Sequence, residues 1–140
     1  MQHNLRTKET KEFNLGEDKQ LTGAAAWTFY AGSVLLTGGL CNDNRDEENY
    51  NKYVKTSWKV DTDSWSFTKV ADLNKERGGH AMITIKERVF TIGGFDGNDL
   101  SQCEVFVCDV WKPISDLIEP ITKLGVVEYQ SNIYAAGWPT

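Results

Sequence analysis

Residues 77–94 read RGGHAMITIKERVFTIGG and contain the clearest pattern in the chain. Residues 81–85 and 89–92 are rich in β-branched and aromatic side chains, which favour β-strands. Only Lys86-Glu87-Arg88 lies between them, so the pattern predicts a hairpin with a short polar turn. Gly93-Gly94 follows the second strand and indicates backbone with positive φ, or the close approach of another segment.

The same hairpin pattern recurs upstream and downstream of this stretch. The upstream copy ends at Gly38-Gly39, and the downstream copy spans residues 124–136 and is followed by Gly137. Gly38 and Gly93 lie 55 residues apart, and Gly93 and Gly137 lie 44 residues apart. These spacings bracket a period of about 50 residues, which is typical of one class of propeller repeat.

The order of features in each repeat resembles the kelch motif. A di-glycine follows an apolar strand, Trp65 or Trp111 stands in the next segment, and Arg77 precedes His80 by three positions before the next strand. The resemblance covers residues 13–138 and is best in the middle repeat. It assigns structural roles to the following residues: Gly38, Gly39, Trp65, His80, Gly93, Gly94, Trp111 and Gly137.

The outer repeats depart from the pattern of the middle one. Gln20 or Leu21 in the first repeat and Lys123 in the last repeat stand where Arg77 stands in the middle one. Phe13 replaces the tryptophan, and Trp138 replaces the second glycine.

The resemblance implies that each repeat forms one four-stranded propeller blade. The predicted fold is therefore all-β, a partial kelch-type β-propeller with two whole four-stranded blades plus flanking part-blades. The predicted divisions are a loose tail at 1–10, an outer strand of a preceding blade at 11–21, blades at 22–73 and 74–119, and the inner hairpin of an incomplete blade at 120–140. Because a ring closes with about 4 to 8 blades, we expect a fragment of a longer protein, a decayed copy, or a chain that completes its ring with another copy.

Local patterns refine this prediction. Alternation along residues 65–70 places Trp65, Phe67 and Lys69 on one side, and the aromatic side is the expected packing face. Pro113 cannot donate a hydrogen bond to a sheet, so its strand is predicted to lie at an edge. The polar residues within 40–51 predict a solvent-exposed loop.

Composition sets the broad class of protein. The chain has 140 residues, of which 40% are hydrophobic, and its net charge is −5. This balance predicts a globular domain and argues against nucleic-acid binding driven by counterion release. No apolar run approaches the roughly 18 residues of a membrane span. Three cysteines fit reduced thiols, so the predicted compartment is the cytoplasm, with no membrane partner.

The sequence carries little that points to catalysis. Its two histidines are His3, in the predicted tail, and His80, which the resemblance treats as structural. No Cys/His cluster has the spacing of a metal site, and the paired carboxylates lie in predicted turns, where they cap backbone groups. Residues 93–97 lack the Lys-Ser/Thr that follows a phosphate loop. We therefore predict no catalytic residue, no metal and no cofactor.

Binding of other proteins is the predicted function. Loops at 40–51, 73–79 and 95–100 should carry the contacts, with Arg45, Tyr50, Arg77 and Asp96 as candidates because arginine and tyrosine dominate interface hot spots. The resemblance implies substrate recognition for a cullin-type ubiquitin ligase, or an actin-associated or scaffolding role. The alternative is an enzyme on a kelch or sialidase-like propeller, which the chain disfavours because it lacks the histidines, an arginine triad and a Ser-x-Asp-x-Gly-x-Thr-Trp box. Open sheet edges before the first blade and after the last one also predict self-association.

Overall fold

In the computed structural model, the protein consists of β-strands joined by turns and loops. The structure describes residues 2–4, 9–11, 21–22, 25–41, 47–48 and 51–138. Their strands are β1 (Gln2–Asn4), β2 (Glu9–Lys11), β3 (Leu21–Thr22), β4 (Ala26–Tyr30), β5 (Ser33–Thr37), β6 (Leu40–Cys41), β7 (Ser57–Val60), β8 (Phe67–Val70), β9 (Ala81–Ile85), β10 (Arg88–Ile92), β11 (Cys103–Val107), β12 (Val110–Ile114), β13 (Thr122–Tyr129) and β14 (Asn132–Trp138). No helix in this described part could cross a membrane.

Two four-stranded antiparallel sheets form the body of the molecule. We call the sheet with strand order β4-β5-β7-β8 blade 1, and the sheet with order β9-β10-β11-β12 blade 2. Strands β13 and β14 form a separate antiparallel hairpin. The prediction of two whole four-stranded blades is confirmed, and this hairpin is the part-blade predicted to follow them. Strand β12 has one neighbour in its sheet, so Pro113 lies on an edge strand as predicted.

Two-residue turns close the hairpins of the inner strands. Ala31-Gly32, Lys86-Glu87 and Gln130-Ser131 connect the paired strands, and positive φ angles occur in all three turns. This conformation matches the twist of the flanking strands. Arg88 pairs with Ile85 and belongs to β10, so the turn after β9 is one residue shorter than the sequence predicts.

The strand registers show which positions of the two blades correspond. In blade 2, Val89 pairs with Phe106, which pairs with Trp111. In blade 1, the same row runs from Val34 through Val60 to Phe67. The counterpart of Trp111 is therefore Phe67. Trp65 lies two residues earlier in the turn before β8, with a φ of 56°, which corrects its assignment to the position of Trp111.

The buried core lies between blades 1 and 2. It is a cluster of five apolar side chains against which Tyr30 and Val70 also pack: Leu35, Leu73, Val89, Phe106 and Trp111. The Tyr30 ring meets the Phe106 ring edge-on, with 5.5 Å between centroids. On β8, Val70 reaches this core, so the packing against blade 2 comes from the side opposite to the aromatic face that the sequence predicts.

The di-glycines join each blade to the segment that enters the next one. The Gly39 N–H donates to the Arg77 carbonyl, and the Gly94 N–H donates to the Ile121 carbonyl, both at 2.9 Å. A Cβ atom at Gly38 would collide with the Arg77 carbonyl oxygen, which explains the glycine. Ile121 is thus the counterpart of Arg77, whereas the sequence suggested Lys123.

Gly137 differs from the other motif glycines in its setting. It lies inside β14, whereas Gly38 and Gly93 follow the ends of their strands with φ near +60°.

The first residues depart from the predicted loose tail. The backbones of Gln2–Asn4 and Glu9–Lys11 pair as an antiparallel hairpin, and Leu21–Thr22 pairs with Leu40–Cys41. A strand predicted at 11–15 falls, apart from Lys11, outside the described residues. The strand predicted to begin at Tyr53 starts at Ser57, because Tyr53 makes only an isolated bridge to Leu40.

Candidate functional site

A cleft of about 680 Å³ opens where the loops of blades 1 and 2 meet. The segment at 51–56, which leads into β7, forms one wall. The connection between β8 and β9 and the turn after Gly94 contribute the rest. The lining residues are Asn51, Lys52, Tyr53, Val54, Lys55, Thr56, Asp72, Glu76, Asp96 and Gly97.

Backbone hydrogen bonds fix the loop that forms the first wall. The Val54 N–H donates to the Gly39 carbonyl, and the Leu73 N–H donates to the Lys55 carbonyl. The Tyr53 ring packs edge-on against Phe95 with 5.6 Å between ring centroids. An aromatic side chain in the wall is therefore held by a second aromatic from the neighbouring blade, and the cleft has a defined shape without a ligand.

An ion pair joins the connection between β8 and β9 to the turn after Gly94. Lys75 Nζ lies 2.6 Å from Asp96 Oδ2, and the Asp96 side chain is 11% exposed. The hydrogen bond to Asp96 raises the pKa of Lys75. Partial burial alone would raise the pKa of Asp96, but hydrogen bonds from Lys75 and the Asn98 N–H hold it below its ordinary value. Both groups are therefore charged at neutral pH.

The rest of the cleft carries charges of both signs. Lys52, Lys55 and Asp72 are exposed, and Glu76 is partly exposed. Long flexible charged side chains beside an aromatic wall suit recognition of a polar partner surface, since charge complementarity sets specificity and orientation.

Arg77 lies in the same loop as Lys75 but points into the protein. Its side chain has no exposed area, and Nη2 lies 2.9 Å from Oε2 of buried Glu104. Nη1 donates to the Gly93 and Gln102 carbonyls at 2.7 Å each. The prediction of Arg77 as a contact residue is corrected, because a fully buried guanidinium cannot touch a partner.

Glu104 anchors the loop on which Lys75 stands. Its carboxylate accepts hydrogen bonds from the backbone N–H groups of Asn74 and Lys75 as well as from Arg77. A buried charge is tolerable only when it is paired and hydrogen-bonded. The Arg77 and Glu104 pair therefore acts below the cleft as a rigid support for its loop.

His80 lies at the start of β9 and is buried. Its Nε2 lies 2.8 Å from Thr37 Oγ1, which ties blade 2 to blade 1. Burial, with a smaller contribution from Arg77, lowers the pKa of His80 to about 3. A neutral imidazole that is enclosed in this way serves packing, and substrate could not reach it.

The four predicted contact residues therefore have different outcomes. Asp96 lies in the cleft, Arg77 lies beneath it, and Arg45 and Tyr50 lie outside the described residues. Sequence reasoning missed Tyr53 and Lys75, whose roles depend on contacts with the adjacent blade. Among the described residues, no group of His, Cys, Asp and Glu side chains is arranged to hold a metal ion.

Comparison with known proteins identifies the repeat. The sequence profile of the Kelch motif matches residues 76–118. Beta-scruin of Limulus polyphemus is 26% identical over 116 residues, which are 80% of this chain and 13% of that protein. Residues 76–118 are therefore a kelch repeat. A Kelch repeat and BTB domain-containing protein of Caenorhabditis elegans is 37% identical over 65 residues, which are 44% of this chain and 11% of the relative.

A third relative and a solved structure extend the comparison. Kelch-like protein 35 of Mus musculus is 25% identical over 108 residues, covering 74% of this kelch-repeat chain and 17% of the relative. The solved structure of YjhT superposes with a TM-score of 0.64 at 14% identity, covering 76% of this chain and 42% of that one. The fold is a partial kelch-type propeller. The chain spans between 11% and 17% of the length of these curated relatives.

Proposed function

We propose that this kelch-repeat chain is a protein-interaction module that binds a partner protein at the cleft between the loops of blades 1 and 2. The observation that carries the proposal is the cleft itself, where the Tyr53 wall and charges of both signs stand on loops held by buried hydrogen bonds. Rigid scaffolds commonly carry recognition on such loops.

The expected partner surface is polar and bears charges of both signs. Lys52 and Lys55 would meet acidic groups, and Glu76 would meet a basic one. Substrate recognition for a cullin-type ubiquitin ligase and a cytoskeletal scaffolding role are the two finer proposals, and both rest on the kelch resemblance. A cytoplasmic location belongs with them as a prediction.

The test is capture of partners by charge-reversed variants. Lys52→Glu combined with Lys55→Glu should lose most of the proteins that the unaltered chain captures from a lysate, as quantified by mass spectrometry. The matched control is Lys112→Glu, an exposed lysine on β12 that lies away from the cleft. Circular dichroism would show that all variants fold alike.

A second pair of variants covers the part of the predicted surface outside the described residues. If Arg45→Ala with Tyr50→Ala removes the captured proteins while the Lys52 and Lys55 variant retains them, the binding surface is the loop at 40–51, and the cleft is not the site. If every variant captures the same proteins, the loop face is not the binding surface.

A further inference from the structure

Glu76 lines the cleft between the loops of blades 1 and 2, on the connection between β8 and β9. The Arg77 N–H donates to the Val54 carbonyl at 3.3 Å, so this connection runs beside the segment at 51–56. Glu76 therefore stands next to the wall that carries Tyr53. All of these residues belong to blade 1 or to its connection to blade 2, so the shape of this part of the cleft does not depend on either end of the chain.

The other carboxylates of the cleft already have a close cation. Asp96 Oδ2 lies 2.6 Å from Lys75 Nζ, and Asp72 Oδ1 lies 2.8 Å from Lys69 Nζ. In the part of the chain that the structure describes, the cation nearest to Glu76 is the same Lys75, at 3.9 Å, and the Glu76 side chain is 46% exposed. Because Lys75 makes its close contact with Asp96, the charge of Glu76 is the one that a partner can neutralise.

The wall beside Glu76 carries charge of the opposite sign. Lys52 and Lys55 lie on the segment at 51–56, and both are exposed. These ammonium groups would repel a partner that brings several cations together, and they would attract acidic groups placed beside a single cation.

Tyr53 indicates which cation suits the cleft. Its ring is partly buried and is held edge-on against Phe95, with 5.6 Å between centroids. A guanidinium group is planar, stacks on aromatic rings and donates two parallel hydrogen bonds to a carboxylate, whereas an ammonium group is compact and strongly hydrated. An aromatic ring and an available carboxylate on adjacent segments are the two groups that together recognise arginine.

We propose that the cleft binds its partner protein through one arginine, which pairs with Glu76 and stacks on Tyr53, and through acidic residues on both sides of that arginine, which meet Lys52 and Lys55. The inference rests on the proposed function and narrows it to a partner segment in which a single arginine stands among acidic residues.

The probe is a synthetic peptide of sequence Glu-Glu-Gly-Arg-Gly-Glu-Glu with both ends blocked. Titration of the isotope-labelled whole chain, followed by NMR, should show saturable shifts of the amide signals at Tyr53 and Glu76. The matched peptide has citrulline in place of arginine, which keeps the shape and removes the charge. It should bind roughly fivefold more weakly, the effect expected of one exposed ion pair.

Variants of the protein test the two charged walls separately. Glu76→Gln keeps the shape of the side chain and should bind the arginine and citrulline peptides with equal affinity. The matched control is Glu119→Gln, which changes an exposed carboxylate outside the cleft and should keep the preference for arginine. Lys52→Glu with Lys55→Glu should reverse the preference for the flanking residues, so that a peptide with lysine in place of its four glutamates binds more tightly than the original.

Three results would overturn the proposal: no saturable binding of the arginine peptide, equal affinity of the unaltered chain for the arginine and citrulline peptides, or shifts confined to residues outside the cleft. These results are distinguishable from failure of the proposed function. If reversal of Lys52 and Lys55 removes the proteins captured from a lysate while the arginine peptide does not bind, the cleft is the binding surface and arginine is not what it recognises.

Discussion

At the scale of single residues, the buried Arg77 and Glu104 pair dominates the structure below the cleft. We expect Arg77→Met to lower the free energy of unfolding by about 3–5 kcal/mol, because it leaves the Glu104 carboxylate buried without its counter-ion. Urea unfolding measures this change.

The matched control for Arg77 is an exposed ion pair in the same chain. Lys69 Nζ lies 2.8 Å from Asp72 Oδ1, and both side chains are at least one third exposed. Lys69→Met should cost less than about 1 kcal/mol because water screens the pair. Equal effects of the two substitutions would contradict the structural role of Arg77.

His80 predicts a pH dependence of stability. Its pKa in the folded protein is about 3, below the ordinary 6.5, so below pH 6.5 the unfolded chain binds a proton that the folded chain does not. Stability is therefore complete above pH 6.5 and falls as the pH drops toward 3, by about 1.4 kcal/mol per pH unit.

Unfolding in urea between pH 6.5 and 5 isolates His80, because carboxylates titrate mainly at lower pH. In His80→Asn, the fall in the free energy of unfolding over this range should largely disappear, whatever the stability of the variant at pH 7. A variant that keeps the full slope would show that another group is responsible.

At the scale of the strand, the row that contains Trp111 determines how the blades pack. Trp111 is 6% exposed and lies in the core cluster, so Trp111→Ala should cost about 3–5 kcal/mol. Trp65 is half-buried in a turn, and Trp65→Ala should cost less than half as much. Thermal or urea unfolding of both variants measures the two losses of stability. A larger loss for Trp65→Ala than for Trp111→Ala would contradict the assignment of Phe67 as the counterpart of Trp111.

The strands and turns were predictable from the sequence. Which residue of one blade corresponds to which residue of another blade was less predictable. Apolar runs ended by di-glycines predicted the inner hairpins, because alternation and turn chemistry act within about 15 residues. Trp65 and Lys123 were misplaced by two residues, since loop lengths differ between repeats and only strand pairing fixes the register. The Kelch motif profile matches the repeat that contains both Arg77 and Glu104. Blade 1 differs at this point, because Trp58 occupies the position that corresponds to Glu104.

The cleft was predictable only in outline. The sequence placed contacts on the loops at 73–79 and 95–100, and Asp96 does lie there. It did not separate Lys75, which pairs with Asp96 of the cleft, from Arg77, which is buried, because both are cations in one loop. The difference arises from Glu104, which lies 27 residues from Arg77 in sequence, and a single sequence does not reveal such a distant partner.

At the scale of the whole molecule, apolar side chains are exposed at both ends of the row of blades. On β4, Thr28 and Tyr30 contact blade 2, so Trp27 and Phe29 point away from it, and they are 52% and 76% exposed. On the hairpin at the other end, Val127 and Tyr134 are 59% and 55% exposed. The sequence predicted self-association through open edges, and these faces provide a second cause for it.

We therefore expect the chain to associate as its concentration rises, because exposed apolar faces of this kind normally mark contact surfaces. Size exclusion with light scattering should give a mass above that of one chain at high concentration. Val127→Thr with Tyr134→Thr should shift the distribution toward the monomer, since both changes keep strand propensity while removing apolar area.

The control is Val110→Thr, which removes an exposed apolar side chain from β12 of blade 2 and should leave the distribution unchanged. If the unaltered chain remains a monomer at all concentrations, the end faces do not drive association, and if only the control variant changes the distribution, the contact lies on blade 2.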